Sequence, residues 1–262
     1  MLELVAEQIS VTLGSADVLH NVSVTLPRGR ITALVGPNGS GKSTVLRALT
    51  RQLPVDRGVV RLDGRAISDF SARDFARKVA YLPQTVLSPP GMTVGELVAC
   101  GRYPHQGIWR VPNKADDAAV DAALQVTGMV AFRDRLLNAL SGGERQRAHI
   151  AVALAQEAEI LLLDEPTTYL DIRHQIEILD LIRTLNRRQG LTVGWILHDL
   201  NQALAYSDEI VLLSAGRVVA SGTPHAVLTP ETIERVFGTT MVVLAHPQSG
   251  LPICVPAHVP AE

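Results

Sequence analysis

The chain has 262 residues, 47% of them hydrophobic, 19% charged and 4% aromatic, and its 24 basic and 26 acidic residues leave a formal charge of -2. That length buries a sizeable core without disulfides or metal, in one large domain or two intimate ones. The charges are interspersed, with none of the basic excess of a nucleic-acid binder, and Cys100 and Cys254 are too few and too far apart for a disulfide framework or metal site.

Residues 1–8 carry Glu3 and Glu7 and lack a basic leader, so no secretory signal is expected. The only long uncharged segment, residues 241–261, is broken by Pro247, Pro252, Pro256 and Pro260 and by His246, Gln248 and Ser249, which excludes a membrane span.

In chain order, β-branched runs at 9–13 and 22–26, separated by turn-prone residues 14–17, predict antiparallel strands. Residues 31–35 form an apolar run read as a buried strand; a glycine-rich loop follows, then a helix over 42–53 stopped by Pro54. Strands are expected around 58–62 and 79–82, the second running into Pro83-Gln84. Residues 92–138 carry apolar positions at helical spacing, in segments 94–100, 114–127 and 129–137, and predict a helical insertion. Strands at 160–163 and 193–197 end in Asp164 and His198, with a helix over 171–189 between them. This alternation implies a mostly parallel sheet covered on both faces. Residues 210–220 read as a hairpin, and Thr229-Pro230-Glu231 opens a short helix with a capping threonine and first-turn proline.

Three segments carry chemistry. Gly36-Pro37-Asn38-Gly39-Ser40-Gly41-Lys42-Ser43 fits a phosphate-binding loop and lies between a predicted strand and helix, as that pattern requires. Its backbone N–H groups and the helix N-terminus would hold a polyphosphate, Lys42 would reach the β and γ phosphates, and Ser43 would ligate Mg²⁺. Second, residues 160–163 deliver Asp164 and Glu165 at a strand's C-terminal end, where α/β sheets place ligands. Alternation along the strand would point the two carboxylates differently, Asp164 toward Mg²⁺ and Glu165 toward an attacking water. Third, Leu140-Ser141-Gly142-Gly143-Glu144 opens a helix just upstream, and its hydroxyl, glycine N–H groups and helix dipole form a second anion-binding surface.

The phosphate loop, the LSGG segment and the LLLDE strand, once each and in this order, resemble the nucleotide-binding subunits of ATP-binding cassette transporters. The resemblance implies a P-loop NTPase fold in a single nucleotide-binding domain. A core with an antiparallel β subdomain would span about 1–85 and 151–225, a helical subdomain with the signature about 86–150, and a C-terminal extension about 226–262. It implies ATP and Mg²⁺ as ligands, with residues 36–43 and Thr44 holding nucleotide and Ser43, Gln84 and Asp164 holding the metal. Glu165, His198 and Gln84 would be the catalytic set. Ser141, Gly142, Gly143 and Glu144 would close over nucleotide held by a second copy in a head-to-tail dimer, with the D-loop residue Asp171 at that interface.

Pro90-Gly91-Met92-Thr93-Val94-Gly95-Glu96-Leu97-Val98, Gly101-Arg102-Tyr103-Pro104-His105-Gln106, Thr167-Thr168-Tyr169-Leu170-Asp171-Ile172 and His198-Asp199-Leu200-Asn201-Gln202-Ala203 resemble the ferric siderophore, haem and cobalamin importer branch, and residues 101–106 with the proline-containing tail resemble its ferric enterobactin type most. That branch implies a motor subunit on the cytoplasmic face of the inner membrane, working with transmembrane permease subunits and, indirectly, a substrate-binding protein, without nucleic acid. Haem or cobalamin cargo, and a cassette ATPase outside transport, remain the alternatives. One departure stands out: no Phe, Trp or Tyr precedes Phe70, and Leu13 falls about where the family stacks adenine on an aromatic ring.

Overall fold

The computed structural model describes residues 2–85, 91–106, 113–248 and 250–257. Pro90, Ser249 and residues 258–262, including Pro260, lie outside the described residues.

The chain opens with two antiparallel strands, β1 (Leu4–Leu13) and β2 (Ala16–Leu26), joined by a tighter turn than the sequence predicts, since Ala16 and Asp17 already pair with Leu13 and Thr12. With β4 (Arg57–Leu62) and β5 (Arg65–Ala66) they form a four-stranded sheet in the order β2-β1-β4-β5. Between these comes β3 (Ile31–Val35), buried at all five residues, then α1 (Lys42–Leu49). The helix stops four residues short of the expected Leu53, where the Thr50 hydroxyl bonds back to the Leu46 carbonyl and Arg51 turns to φ 60°.

After the short α2 (Ala72–Ala76) come β6 (Val79–Leu82), α3 (Val94–Ala99), α4 (Tyr103–Gln106), α5 (Lys114–Val126) and α6 (Gly142–Ala155). Helix α3 starts in a Thr93–Glu96 capping box and α5 in an Asn113–Asp116 box, so both starts are written locally. Residues 129–137 correct the sequence reading: they form isolated 3₁₀ turns at Val130–Phe132 and Leu137–Ala139 rather than a helix. Their backbone is drawn off to the start of α3, where Val94 N–H donates to the Arg135 carbonyl at 3.0 Å and Gly95 N–H to Arg133 at 2.8 Å, while Leu137 N–H donates to Met92 at 3.0 Å. Tertiary pairing overrides the local pattern. Residues of α3, α5 and α6, with Met129 and Leu137, share an apolar cluster of their own.

Next come β7 (Ile160–Leu163), α7 (Ile172–Gln189), β8 (Thr192–Ile196) and α8 (Leu200–Tyr206). The hairpin β9 (Glu209–Ser214) and β10 (Arg217–Gly222) is followed by α9 (Pro224–Val227) and α10 (Pro230–Phe237), the latter capped by Thr229 with proline in its first turn. The six-stranded sheet runs β10-β9-β3-β8-β7-β6, parallel except for β10. It separates two cores: one faces α6, α7 and α8, the other α1 and the antiparallel sheet. Trp195 of β8 is wholly buried and donates its indole N–H to the Ser207 hydroxyl at 3.1 Å.

Sequence reading missed a last hairpin, β11 (Met241–Ala245) and β12 (Pro252–Pro256). It is fastened to α8 by Asn201, whose amide nitrogen donates to the Cys254 carbonyl at 3.2 Å and whose oxygen accepts from the Cys254 N–H at 2.7 Å. Cys254 is buried and, like Cys100, a free thiol. No helix among the described residues is long and apolar enough to cross a membrane.

Candidate active site

The loop between β3 and α1 is shaped by the absence of side chains. Gly36 sits at φ 152°, and a Cβ there would lie 2.0 Å from the Leu213 carbonyl of β9, so only glycine lets the loop cross that strand. Gly41, in the left-handed region, is the N-cap of α1 and supplies no capping side chain, which leaves the first-turn N–H groups of that helix for a ligand. Ser40 is 2% exposed and its hydroxyl has no hydrogen-bond partner in the structure. A buried orphan hydroxyl beside uncapped N–H groups is the donor set a polyphosphate requires.

Lys42 lies inside this loop, its ammonium donating to the Gly36 and Pro37 carbonyls, each at 2.8 Å. Burial pushes its pKa down, against the opposing pull of the Glu165 and Asp164 charges. Residues 38–44, Val18 and Glu165 line one open hollow. Val18 was not read as a site residue; it lies on β2 between Asp17 and Leu19, where the register with β1 shifts. Leu13, at the end of β1, is 38% exposed.

Asp164 and Glu165 follow β7 at once. Asp164 N–H continues the ladder by donating to the Leu82 carbonyl at 2.8 Å, and its carboxylate accepts from the Ser43 hydroxyl at 3.1 Å and the Tyr81 hydroxyl at 3.3 Å. Burial raises the Asp164 pKa and the Glu165 charge adds to it, while the Ser43 and Tyr81 hydrogen bonds oppose the rise. Burial, then Asp164, pushes the Tyr81 phenol well above its usual range. A hydroxyl and a carboxylate within 3.1 Å of each other are hard oxygen donors suited to a small divalent cation.

The two carboxylates do diverge, but the cause differs from the expected one. Both lie past the last strand residue, Leu163, and Glu165 is turned by its own left-handed backbone, φ 54°. Three side chains meet it. Gln84 Nε2 donates to Oε2 at 2.6 Å, Thr168 Oγ1 donates to Oε2 at 3.0 Å, and His198 Nε2 lies 2.5 Å from Oε1. Thus Gln84, from beyond β6, and His198, from beyond β8, converge with Glu165 on the C-terminal edge of three adjacent parallel strands. Gln84 touches Glu165, and among the described residues no hydrogen bond joins it to Ser43 or Asp164. In the sequence Thr168 stands out only as part of a family-matching segment and Tyr81 is given no role; Tyr81 sits one residue inside β6, where a strand pattern reads as packing alone.

The signature segment is built otherwise. Ser141 is the N-cap of α6: its hydroxyl accepts from Glu144 N–H at 3.3 Å, and Glu144 Oε2 accepts from Ser141 N–H at 2.7 Å. Hydrogen bonds from the Ser141 backbone, then its side chain, hold the Glu144 carboxyl below the usual range. Gly142 has open space around it, whereas a Cβ on Gly143 would lie 2.5 Å from the His174 ring of α7. Asp171 caps α7 through His174 N–H at 2.9 Å. Among the described residues, no hydrogen bond or ion pair joins Ser141, Gly142, Gly143, Glu144 or Asp171 to the phosphate loop.

Comparison with known proteins decides the family. The ABC transporter family model matches residues 19–168. The chain is 46% identical over 250 residues to the ferric enterobactin transport ATP-binding protein FepC of Escherichia coli (strain K12), covering 95% of this chain and 92% of that protein. The chain belongs to the ABC transporter family as an ATP-binding subunit. The iron(3+)-hydroxamate import ATP-binding protein FhuC of Bacillus subtilis (strain 168) is 43% identical to this cassette over 255 residues, 97% of this chain and 95% of that one. Among solved structures, an inward-facing putative metal-chelate type ABC transporter superposes with TM-score 0.86 at 27% identity, covering 98% of both chains. The cassette is therefore an ATPase coupled to transport.

Proposed function

We propose that the cassette powers uptake of a ferric siderophore, hydrolysing ATP·Mg²⁺ at the interface of a head-to-tail dimer beneath a separate membrane permease on the cytoplasmic face of the inner membrane. The cargo reading rests on the 46% identity to FepC along nearly the whole chain. The catalytic reading rests on Glu165, held from three sides beside the phosphate loop. A substrate-binding protein that delivers the chelate to the permease completes the system.

In this reading residues 36–44 bind the polyphosphate through backbone N–H groups, and Lys42 transfers its hydrogen bonds from the two loop carbonyls to phosphate oxygens. Ser43, Asp164 and the Gln84 amide oxygen hold Mg²⁺, which when bound neutralises developing phosphate charge. Tyr81 and Ser43 orient Asp164 from its two oxygens. Glu165 orients the attacking water. Gln84 and Thr168 fix its Oε2 and His198 its Oε1, so the carboxylate meets the water in one pose. Because, among the described residues, the signature surface bonds to no part of the phosphate loop, Ser141 and Gly142 act on nucleotide held by the second copy, with Asp171 at the same interface. The chain divides as a nucleotide-binding core over about 1–85 and 151–225, a helical subdomain over about 86–150 and a C-terminal extension from about 226.

Glu165→Gln tests the assignment. It keeps the phosphate contacts and removes the water-orienting charge, so ATP still binds while turnover falls about a thousandfold and a nucleotide-bound dimer accumulates. Parental hydrolysis by this variant would overturn the catalytic reading. In cells lacking the cassette, wild type but not Glu165→Gln should restore uptake of ferric siderophores, with haem and cobalamin uptake unaffected; selective loss of either of those instead would move the cargo class.

A further inference from the structure

Two half-buried glutamines outside the site described above join its moving parts. In the first turn of α7, Gln175 Nε2 donates to the carbonyl of Leu170, the D-loop residue before Asp171, at 2.9 Å. Gln175 Oε1 accepts from Gln202 Nε2 of α8 at 2.7 Å. Gln202 N–H donates to Asp199 Oδ1 at 3.1 Å, and Asp199 is the N-cap of α8 and the residue next to His198. Both ends of the Gln175 amide are used, so the chain of hydrogen bonds has a fixed polarity from α8 to the D-loop.

The D-loop is itself tied to the catalytic carboxylate. Thr168 bonds Glu165, and Tyr169 holds the following bend at φ 64°, a conformation a tyrosine keeps only where its surroundings impose it. Glu165 thus meets the segment carrying His198 by two routes: the direct 2.5 Å contact, and the path Thr168, Leu170, Gln175, Gln202, Asp199. We infer that Gln175 and Gln202 form an amide relay that fixes the D-loop against the histidine-bearing end of α8, and are positioning residues for ATP turnover. This rests on the catalytic reading of Glu165 and His198 proposed above. Neither glutamine lines the hollow of the phosphate loop, so breaking the relay acts on the chemical step and leaves nucleotide binding alone.

Gln175→Met and Gln202→Met remove the amides while keeping side-chain length. In steady-state hydrolysis by the full-length chain, each lowers kcat about tenfold with KM for ATP within about twofold. The double variant is no slower than the worse single one, because one broken link already opens the relay. A mere packing defect would move kcat and KM together, whereas loss of the relay lowers kcat and leaves KM in place. Gln175→Glu guards against misfolding: it still accepts from Gln202 but cannot donate to Leu170, and falls as far as Gln175→Met. A kcat within about twofold of the parent, additive losses in the double variant, or a change confined to KM overturns the relay. His198→Ala, run alongside, separates the two ideas: if it hydrolyses at the parental rate the catalytic reading fails, and if it is inactive while the glutamine variants are parental, the relay alone fails.

Discussion

The cassette has two glycine-rich helix N-termini that solve the same electrostatic problem in opposite ways. At α1 the cap is a glycine without a side chain, the Ser40 hydroxyl is orphaned and an ammonium is parked on carbonyls, so donors stand ready for an anion that the chain itself does not supply. At α6 the Ser141–Glu144 box already fills the helix end with a hydroxyl and a carboxylate. An anion there must compete with the Glu144 carboxylate at the cap itself, whereas at α1 the cap is empty and an anion has to draw Lys42 off two neutral carbonyls. The first terminus is preorganised for binding, and the second stays closed until something offers more than its own cap.

The largest test of this contrast after Glu165→Gln is Lys42→Ala, which removes the only side-chain cation of the loop. ATP affinity should fall roughly a hundredfold in equilibrium binding. Unchanged affinity would mean that backbone donors suffice and would erase the difference between the two termini.

The next effect concerns how each helix is anchored. His149 of α6 is buried, and burial, with Arg145 adding, pushes its pKa down from 6.5 to about 4. The unfolded chain therefore takes up that proton more readily than the native one. The stability involved is fully present above pH 6.5 and is lost as pH falls toward 4, by up to about 3 kcal/mol. His149→Gln should flatten this acid limb in urea denaturation followed across that range; parallel limbs would show that other groups set it.

The smallest effect is Ser141→Ala, worth about 1 kcal/mol of helix capping. ATP binding to the single chain should be unaltered while hydrolysis drops by more than so small a loss of stability explains. A drop no larger than the melting shift accounts for would reduce the signature serine to a cap.

What could be read from the sequence divides along similar lines. The phosphate loop was legible because its glycines answer a backbone demand that no other residue meets, and β3 because a strand buried on both faces leaves an unbroken apolar run. Residues 129–137 misled because their spacing is helical while their backbone groups are claimed by α3, a contact that periodicity does not encode. The hairpin β11–β12 was lost among prolines that sit at its strand ends, where proline is tolerated. Within the site, Gln84, Glu165 and His198 were singled out through their motifs, and the fold brings their side chains together. Tyr81 and Val18 were not, since what each meets lies far away in sequence; Thr168 was not, because its bond to Glu165, three residues back, depends on the left-handed turn there. The divergence of Asp164 and Glu165 was anticipated, but through strand alternation rather than the left-handed turn at Glu165.

The Asn201 clamp on Cys254 changes how the end of the chain should be handled at the bench. The last hairpin lays Cys254, Met241 and Val243 on the same core as α8 and gives the Asn201 amide both its partners. A protein shortened at Gly238 would lose that cover from the helix that follows His198. Such a truncation removes a wall rather than a tail, and limited proteolysis that clips near Thr240 would be expected to precede loss of activity rather than trim a bystander.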